Sequence, residues 1–263
     1  MTFKRRTVLA AVLFLTGILI PGMSQSVSKH IHSREQLWFA YFNQTRLSAK
    51  LGLWMDIHYR QTDHFTDRPF QFLFRPAITY FIKDNFRVNV GYALVEHFPG
   101  RGLSTTRPEH RAWQQLWWQQ RYTGLATLQW IRLEERFNRK ITNDVLQPGH
   151  HFNYRLRYNL TFLVPLKGKE IKAGTPFLSV IDELFVNFGK RIVYNTFDQN
   201  RFFAGMGYQF DAHKSVQLGY MNIFQQESTG TDYVSTHAVR LFFFHSIDLR
   251  KSDDDQGATV PGR

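Results

Sequence analysis

The side chains most able to do chemistry in this sequence are Arg60, Arg75, Arg87, Arg132, Arg136, Arg155 and Arg157, with His58, Asp56, Glu134 and Glu183 as partners. A guanidinium presents its donors in a planar fork that suits carboxylates and phosphates. Two kinds of chemistry follow. If these residues line a water-filled passage, the basic lining favours anions. If the acids cross-link the arginines, the same residues are structural glue that closes the interior, and Glu96 is a further candidate partner. The residues alone leave both readings open.

Other constellations are weaker. Glu134 and Glu135 look like a catalytic carboxylate pair, but adjacent residues of a strand point to opposite faces and cannot share a site. Glu134, flanked by Arg132 and Arg136, reads instead as an ion-paired residue. His30 with His32, and His150 with His151, lack the further ligands a metal site needs. No G-x-S-x-G, phosphate-loop or H-E-x-x-H pattern occurs. Ser235 and His237 fall at a loop edge, which weakens a reading as a lipid-modifying enzyme. The chain is accordingly expected not to be an enzyme and to need no cofactor or metal.

The elements that would position the arginines alternate with period two. In "HFNYRLRYNLTFLVP" (151–165), Phe152, Tyr154, Leu156, Tyr158, Leu160 and Phe162 share one face, and Asn153, Arg155, Arg157, Asn159 and Thr161 the other. The same split recurs in 51–60, 86–94 and 202–210. Eleven strand-like runs are legible, near 36–46, 51–61, 69–82, 86–97, 110–121, 125–137, 151–163, 177–187, 200–210, 215–225 and 236–248. The connections between them alternate. Short ones such as "KDN" (83–85) and "TG" (123–124) interleave with long ones such as 97–110 and 138–151. Tight turns on one rim and long loops on the other are the habit of outer-membrane barrels.

A barrel of this many strands is too wide for its apolar side chains to fill, so the oily face should lie outward against lipid and the arginines inward. A soluble two-sheet sandwich is the alternative, since it alternates too. Single-chain bacterial barrels have even strand counts, so a twelfth strand is expected upstream, although "SVSKHIHSRE" (26–35) makes a poor one. Asp182, among Leu178, Val180, Leu184 and Val186, implies a strand out of phase or a rim position. In 125–137, Leu128 and Trp130 have one parity and Ile131, Leu133 and Phe137 the other, which suggests a bulge near Trp130.

Bulk properties agree with an exported barrel. Mean hydropathy is -0.35, and apart from the first segment no apolar run is long enough for a spanning helix. Aromatic residues make up 16%, suiting strands and membrane-interface girdles. Lys4, Arg5 and Arg6 precede an apolar stretch Val8 to Ile20, which Pro21 ends, so residues 1–24 read as a signal peptide, with a retained short anchor as the alternative. Residues 25–35 then form a lead-in, 36–248 the barrel and 249–263 a polar tail. The net charge of +12 falls to about +9 without the leader, and for an exported chain the partners are small anions or lipid phosphates, not nucleic acid. There is no cysteine.

The segments "QLWFAYFNQTRLSAKLGLWMDIHYR" (36–60), "RLEERF" (132–137), "NYRLRYNLTFLVPL" (153–166), "DELFVNFG" (182–189), "FDQNRFFAGMGYQF" (197–210) and "VQLGYMNIFQQ" (216–226) resemble the bacterial proteins grouped as domain of unknown function 2490. The resemblance implies an outer-membrane-type barrel of unassigned activity and carries over no functional residue. The tail "KSDDDQGATVPGR" departs from the common habit of ending on an aromatic strand residue.

The combined expectation is all-β: a signal peptide and an antiparallel transmembrane β-barrel of about twelve strands in the outer membrane of a Gram-negative bacterium. Its partners would be outer-membrane lipid, lipopolysaccharide and the barrel-assembly machinery. Its function would be a porin-like pore or a binding barrel for small anionic solutes, or alternatively a closed structural barrel.

Overall fold

Period-two alternation becomes a wall of strands. The computed structural model describes residues 29–250, and the proposed leader, the start of the lead-in and the end of the polar tail lie outside them. Eleven strands form one closed barrel: β1 (His30–Arg46), β2 (Leu51–Thr62), β3 (Arg68–Lys83), β4 (Phe86–His97), β5 (Arg107–Tyr122), β6 (Leu125–Thr142), β7 (Val145–Pro165), β8 (Thr175–Phe188), β9 (Phe197–Gln209), β10 (Lys214–Gln226) and β11 (Asp232–Asp248). Each pairs antiparallel with its sequence neighbours, and no helix occurs among the described residues. Strand spacing and tilt make such a ring roughly 20 Å across between backbones.

Closure corrects the expected count. Strand direction cannot alternate all the way round an odd ring, so one pair must run parallel. That pair is β1 with β11, in register from His30 opposite Asp232 to Arg46 opposite Asp248. No twelfth strand lies upstream within the described residues; His30 to Glu35 extend β1 itself. Closure also replaces the two-sheet alternative, because the described strands form one ring and not two stacked sheets.

The faces sort as the alternation requires. Ile78 is 63% exposed on the outside of the wall, whereas the next residue, Thr79, is fully buried inside. In β7, Leu156, Tyr158 and Phe162 are exposed, while Asn153, Arg155, Arg157, Asn159 and Thr161 are buried in the interior. The apolar side chains of the outer face therefore touch no protein core.

Three local expectations change. The register of β6 against β7 runs unbroken from Ala126 to Arg139, so no bulge lies near Trp130. Leu128 and Trp130 face inward with Arg132 and Glu134, because aromatic rings serve there as stacking surfaces for arginine. The stretch 138–151 is not a long loop: β6 and β7 extend beyond their neighbours and join through Asn143–Asp144, both at positive φ. Asn and Asp tolerate that left-handed region, which a two-residue hairpin turn demands. Finally, β8 is in phase and Asp182 sits mid-strand on the outer face, accepting a hydrogen bond from Asn200 Nδ2 at 2.8 Å.

The loops at the β4–β5 end are stitched together. Asp144 accepts from the backbone amides of Ser104 (2.8 Å) and Thr105 (2.9 Å), and Asp63 accepts from Arg68 Nε (3.1 Å) and Arg101 Nε (2.9 Å). The hydrogen bonds to Asp144, led by the backbone amides of Ser104 and Thr105, hold its carboxyl below the ordinary value. A carboxyl depressed in the folded state stabilises above its unfolded pKa and stops doing so as pH falls through the folded one. The loop is therefore pinned at neutral pH and released as pH falls below the ordinary carboxylate range. Hydrogen exchange checks this: Asp144→Ala should remove protection of the Ser104 and Thr105 amides at neutral pH, and unchanged protection would refute the pin.

Candidate functional site

The interior is built from inward positions of every strand, and its centre is Glu134 on β6. Only 1% exposed, Glu134 accepts from Arg155 Nε (2.9 Å) and NH2 (2.5 Å) through one oxygen and from Arg157 NH1 (2.6 Å) through the other. Arg111 approaches to 3.7 Å, and Arg75 and Arg132 each to 3.9 Å. The network then runs outward in both directions. Arg75 donates to both oxygens of Asp56, which also contacts His58 Nε2 at 2.7 Å and accepts from Trp54 Nε1 at 2.9 Å. Arg155 reaches Asp198 at 3.1 Å, and Arg157 pairs with Glu183. A second hub, Glu109, is fully buried and takes Arg111 (2.7 Å), Arg136 (2.6 Å) and His97 (2.8 Å). The ion pairs thus link β2 to β9 across the interior.

All the residues singled out by type and spacing point inward: Asp56, His58, Arg60, Arg75, Arg87, Arg132, Glu134, Arg136, Arg155, Arg157 and Glu183. The structure brings most of them into the network. It leaves Arg60 and Arg87 outside, and Glu96 takes no part in any ion pair among the described residues. Sequence reasoning missed Glu109 and Asp198, which it placed in connections, and Arg111, Arg201 and Arg240. Parity carried the signal for Arg111, which shares its face of β5 with the polar Glu109 and Gln115. The neighbourhood of Arg240 alternates too weakly to reveal a face. Glu135, on the outer face between Ala112 and Tyr154, shares nothing with Glu134.

Guanidiniums outnumber carboxylates two to one inside. Arg60, Arg75, Arg87, Arg111, Arg132, Arg136, Arg155, Arg157, Arg201 and Arg240 face Asp56, Glu109, Glu134, Glu183 and Asp198. Every described lysine lies at a strand end or in a connection, so all interior cations are arginine. Arginine is less strongly hydrated than lysine and stacks on rings. Arg60 lies 3.5 Å over Trp38, Arg87 3.7 Å over Trp117, Arg132 4.3 Å over Trp113, and Arg240 3.8 Å over Phe203. Ring faces thus substitute for anions where carboxylates are missing. Arg60, Arg87, Arg201 and Arg240 form no ion pair among the described residues, and the Nε atoms of Arg60, Arg87 and Arg240 are buried without a hydrogen-bond partner.

Beside the network lies a cavity of about 580 Å³, lined by Arg60, Arg201 and Arg240 among others. Such an arrangement can hold an anion: it offers fork-shaped donors, excess positive charge and space.

Among curated proteins, an uncharacterised protein of Methylorubrum extorquens is 27% identical over 157 residues, which cover 58% of this chain and 62% of that protein. No solved structure matches the chain. The family model described as "Protein of unknown function (DUF2490)" matches residues 35–234, nearly the whole of the barrel from β1 into β11, and the chain belongs to that family.

Proposed function

We propose that the chain is an outer-membrane barrel whose interior binds small anionic solutes. The observation that carries the reading is the set of arginines, Arg60 and Arg240 buried and Arg201 partly so, that border the cavity without a carboxylate partner. A buried guanidinium left unpaired is costly, and a bound anion relieves that cost. The outer face supports the membrane setting. It is a band of exposed Leu, Ile, Val and Phe, with Tyr80, Tyr122 and Tyr208 near one rim and Tyr59, Tyr154 and Tyr233 toward the other. Aromatic girdles at both edges of an apolar band are what a bilayer selects. The leader-like segment 1–24 supports export, and lipopolysaccharide and the assembly machinery are the partners this setting supplies.

Binding is favoured over free passage because the Glu134 network spans the interior from β2 to β9. The same network favours a second reading, a closed barrel with a structural role. Titration of the purified barrel in lipid nanodiscs separates them, since Trp38, Trp54, Trp117 and Trp130 line the cavity and report on occupancy. Saturable change of tryptophan emission with acetate or phosphate, lost in Arg60→Gln with Arg201→Gln, is the expected result. A folded barrel that responds to no anion is the closed structural one. Steady anion-selective current in planar bilayers would instead make it a pore.

A further inference from the structure

The interior has two unlike halves. The ion-pair network is centred on β6 and β7 and ends at Asp56 on β2 and Asp198 on β9. Toward β1, β9, β10 and β11 the interior carries an apolar cluster: Trp38, Ala40, Phe203, Met221, Ile223, Ala238 and Phe242 are buried together, with Phe42, Ile181 and Phe244 packed against them and the buried amides of Gln199 and Gln217 on the same strands. The cavity touches this apolar wall through Trp38, Phe42, Met221, Ile223, Phe242 and Phe244. Three of the four arginines without an ion pair, Arg60, Arg201 and Arg240, contact rings of this cluster. Arg60 covers Trp38 at 3.5 Å, Arg201 lies 5.0 Å from the same ring, and Arg240 lies between Phe203 (3.8 Å) and Phe242 (4.1 Å).

This juxtaposition says more than that an anion fits. An inorganic anion would pair with the guanidiniums but leave the aromatic and aliphatic wall facing water. A neutral apolar molecule would cover the wall but leave buried N–H groups unpartnered, and the Nε atoms of Arg60 and Arg240 already lack partners. Only a molecule with both parts satisfies both surfaces. We propose that the natural ligand is an amphipathic organic anion: an acidic head of carboxylate, sulfonate or phosphate type joined to a compact apolar body. The head sits between Arg60 and Arg201, which share the Trp38 ring, and the body lies along Phe42, Met221, Ile223 and Phe244. Arg87 takes no part, because it stacks on Trp117 and does not line the cavity. The inference rests on the anion-binding reading above and narrows it to one ligand class.

Calorimetry on the full barrel in nanodiscs, with protein-free nanodiscs as the blank, tests it with three probes. Naphthalene-2-sulfonate carries both parts, methanesulfonate the head alone, and 2-naphthalenemethanol the body without charge. Burying the ring system while pairing the head should make the first bind at least about tenfold tighter than either of the others. Ile223→Asn, checked for an unchanged near-ultraviolet tryptophan signal, should weaken naphthalene-2-sulfonate and leave methanesulfonate unaffected. If methanesulfonate binds as tightly as the naphthyl probe, the anion chamber stands and the amphipathic class falls. If the uncharged naphthyl alcohol binds equally well, or if no probe binds a folded barrel, both readings fall.

Discussion

Glu134→Gln should lower the stability of the barrel by about 3–5 kcal/mol, the range found when one partner of a buried ion pair is removed. The amide keeps the shape of the carboxylate and removes its charge. Arg155 retains Asp198 at 3.1 Å and Arg157 retains Glu183, but the middle of the network is left with guanidiniums from β3, β5, β6 and β7 around a neutral group. Their mutual repulsion in a water-poor interior is what the substitution exposes. Urea unfolding in lipid vesicles, followed by tryptophan emission, measures the loss. Glu135→Gln is the matched control, because the two residues adjoin in sequence and face opposite sides of the same strand. Equal effects from the two would refute the hub. In the Glu134→Gln background, Arg157→Met should regain part of the loss, since it withdraws one unpaired charge.

The contrast between Glu134 and Glu135 shows which features the sequence made legible. Face assignment rests on period two, a local property, so wherever polar and apolar residues alternate cleanly, as at Asn153 to Phe162, the reading matches the structure. Strand existence was equally local, and all eleven runs correspond to strands. Closure is global. No window of residues reveals that β1 meets β11 in parallel, and an even count was the natural expectation. The inner ring faces were hidden for a different reason. Trp130 and Leu128 read as outward because they are apolar, yet Trp130 lies 4.8 Å from Arg132 and 5.0 Å from Arg157. Hydropathy treats tryptophan as oil, and cation–π contact makes it a partner for charge. Glu109 and Asp198 escaped because strand ends blur into connections in any pattern-based reading. Two of the five interior carboxylates were therefore invisible, although the arginine excess itself was plain.

The wall behind the cavity makes the other large demand on sequence, at Gly205 and Gly219. These residues face each other directly across β9 and β10. A Cβ at Gly219 would lie 2.4 Å from the carbonyl oxygen of Ala204, 2.4 Å from Gly205 Cα and 2.9 Å from the Phe203 ring. A Cβ at Gly205 would lie 2.4 Å from the Leu218 carbonyl oxygen and 2.5 Å from the same ring. Glycine inside a strand weakens it unless another group must approach closely. Here the Phe203 ring lies across both glycines and carries Arg240 on its face. Gly219→Ala should destabilise by about 1–3 kcal/mol, the usual result of overpacking. A second substitution separates the two sources of crowding. Phe203→Ala removes the ring but not the backbone atoms, so the double variant should stay at least as unstable as Gly219→Ala alone. Recovery in the double variant would mean that the ring alone forbids a side chain. In either case Arg240 loses one of the two rings between which it lies, so Phe203→Ala alone should also weaken anion binding at the cavity, in a barrel that unfolds with the same cooperativity.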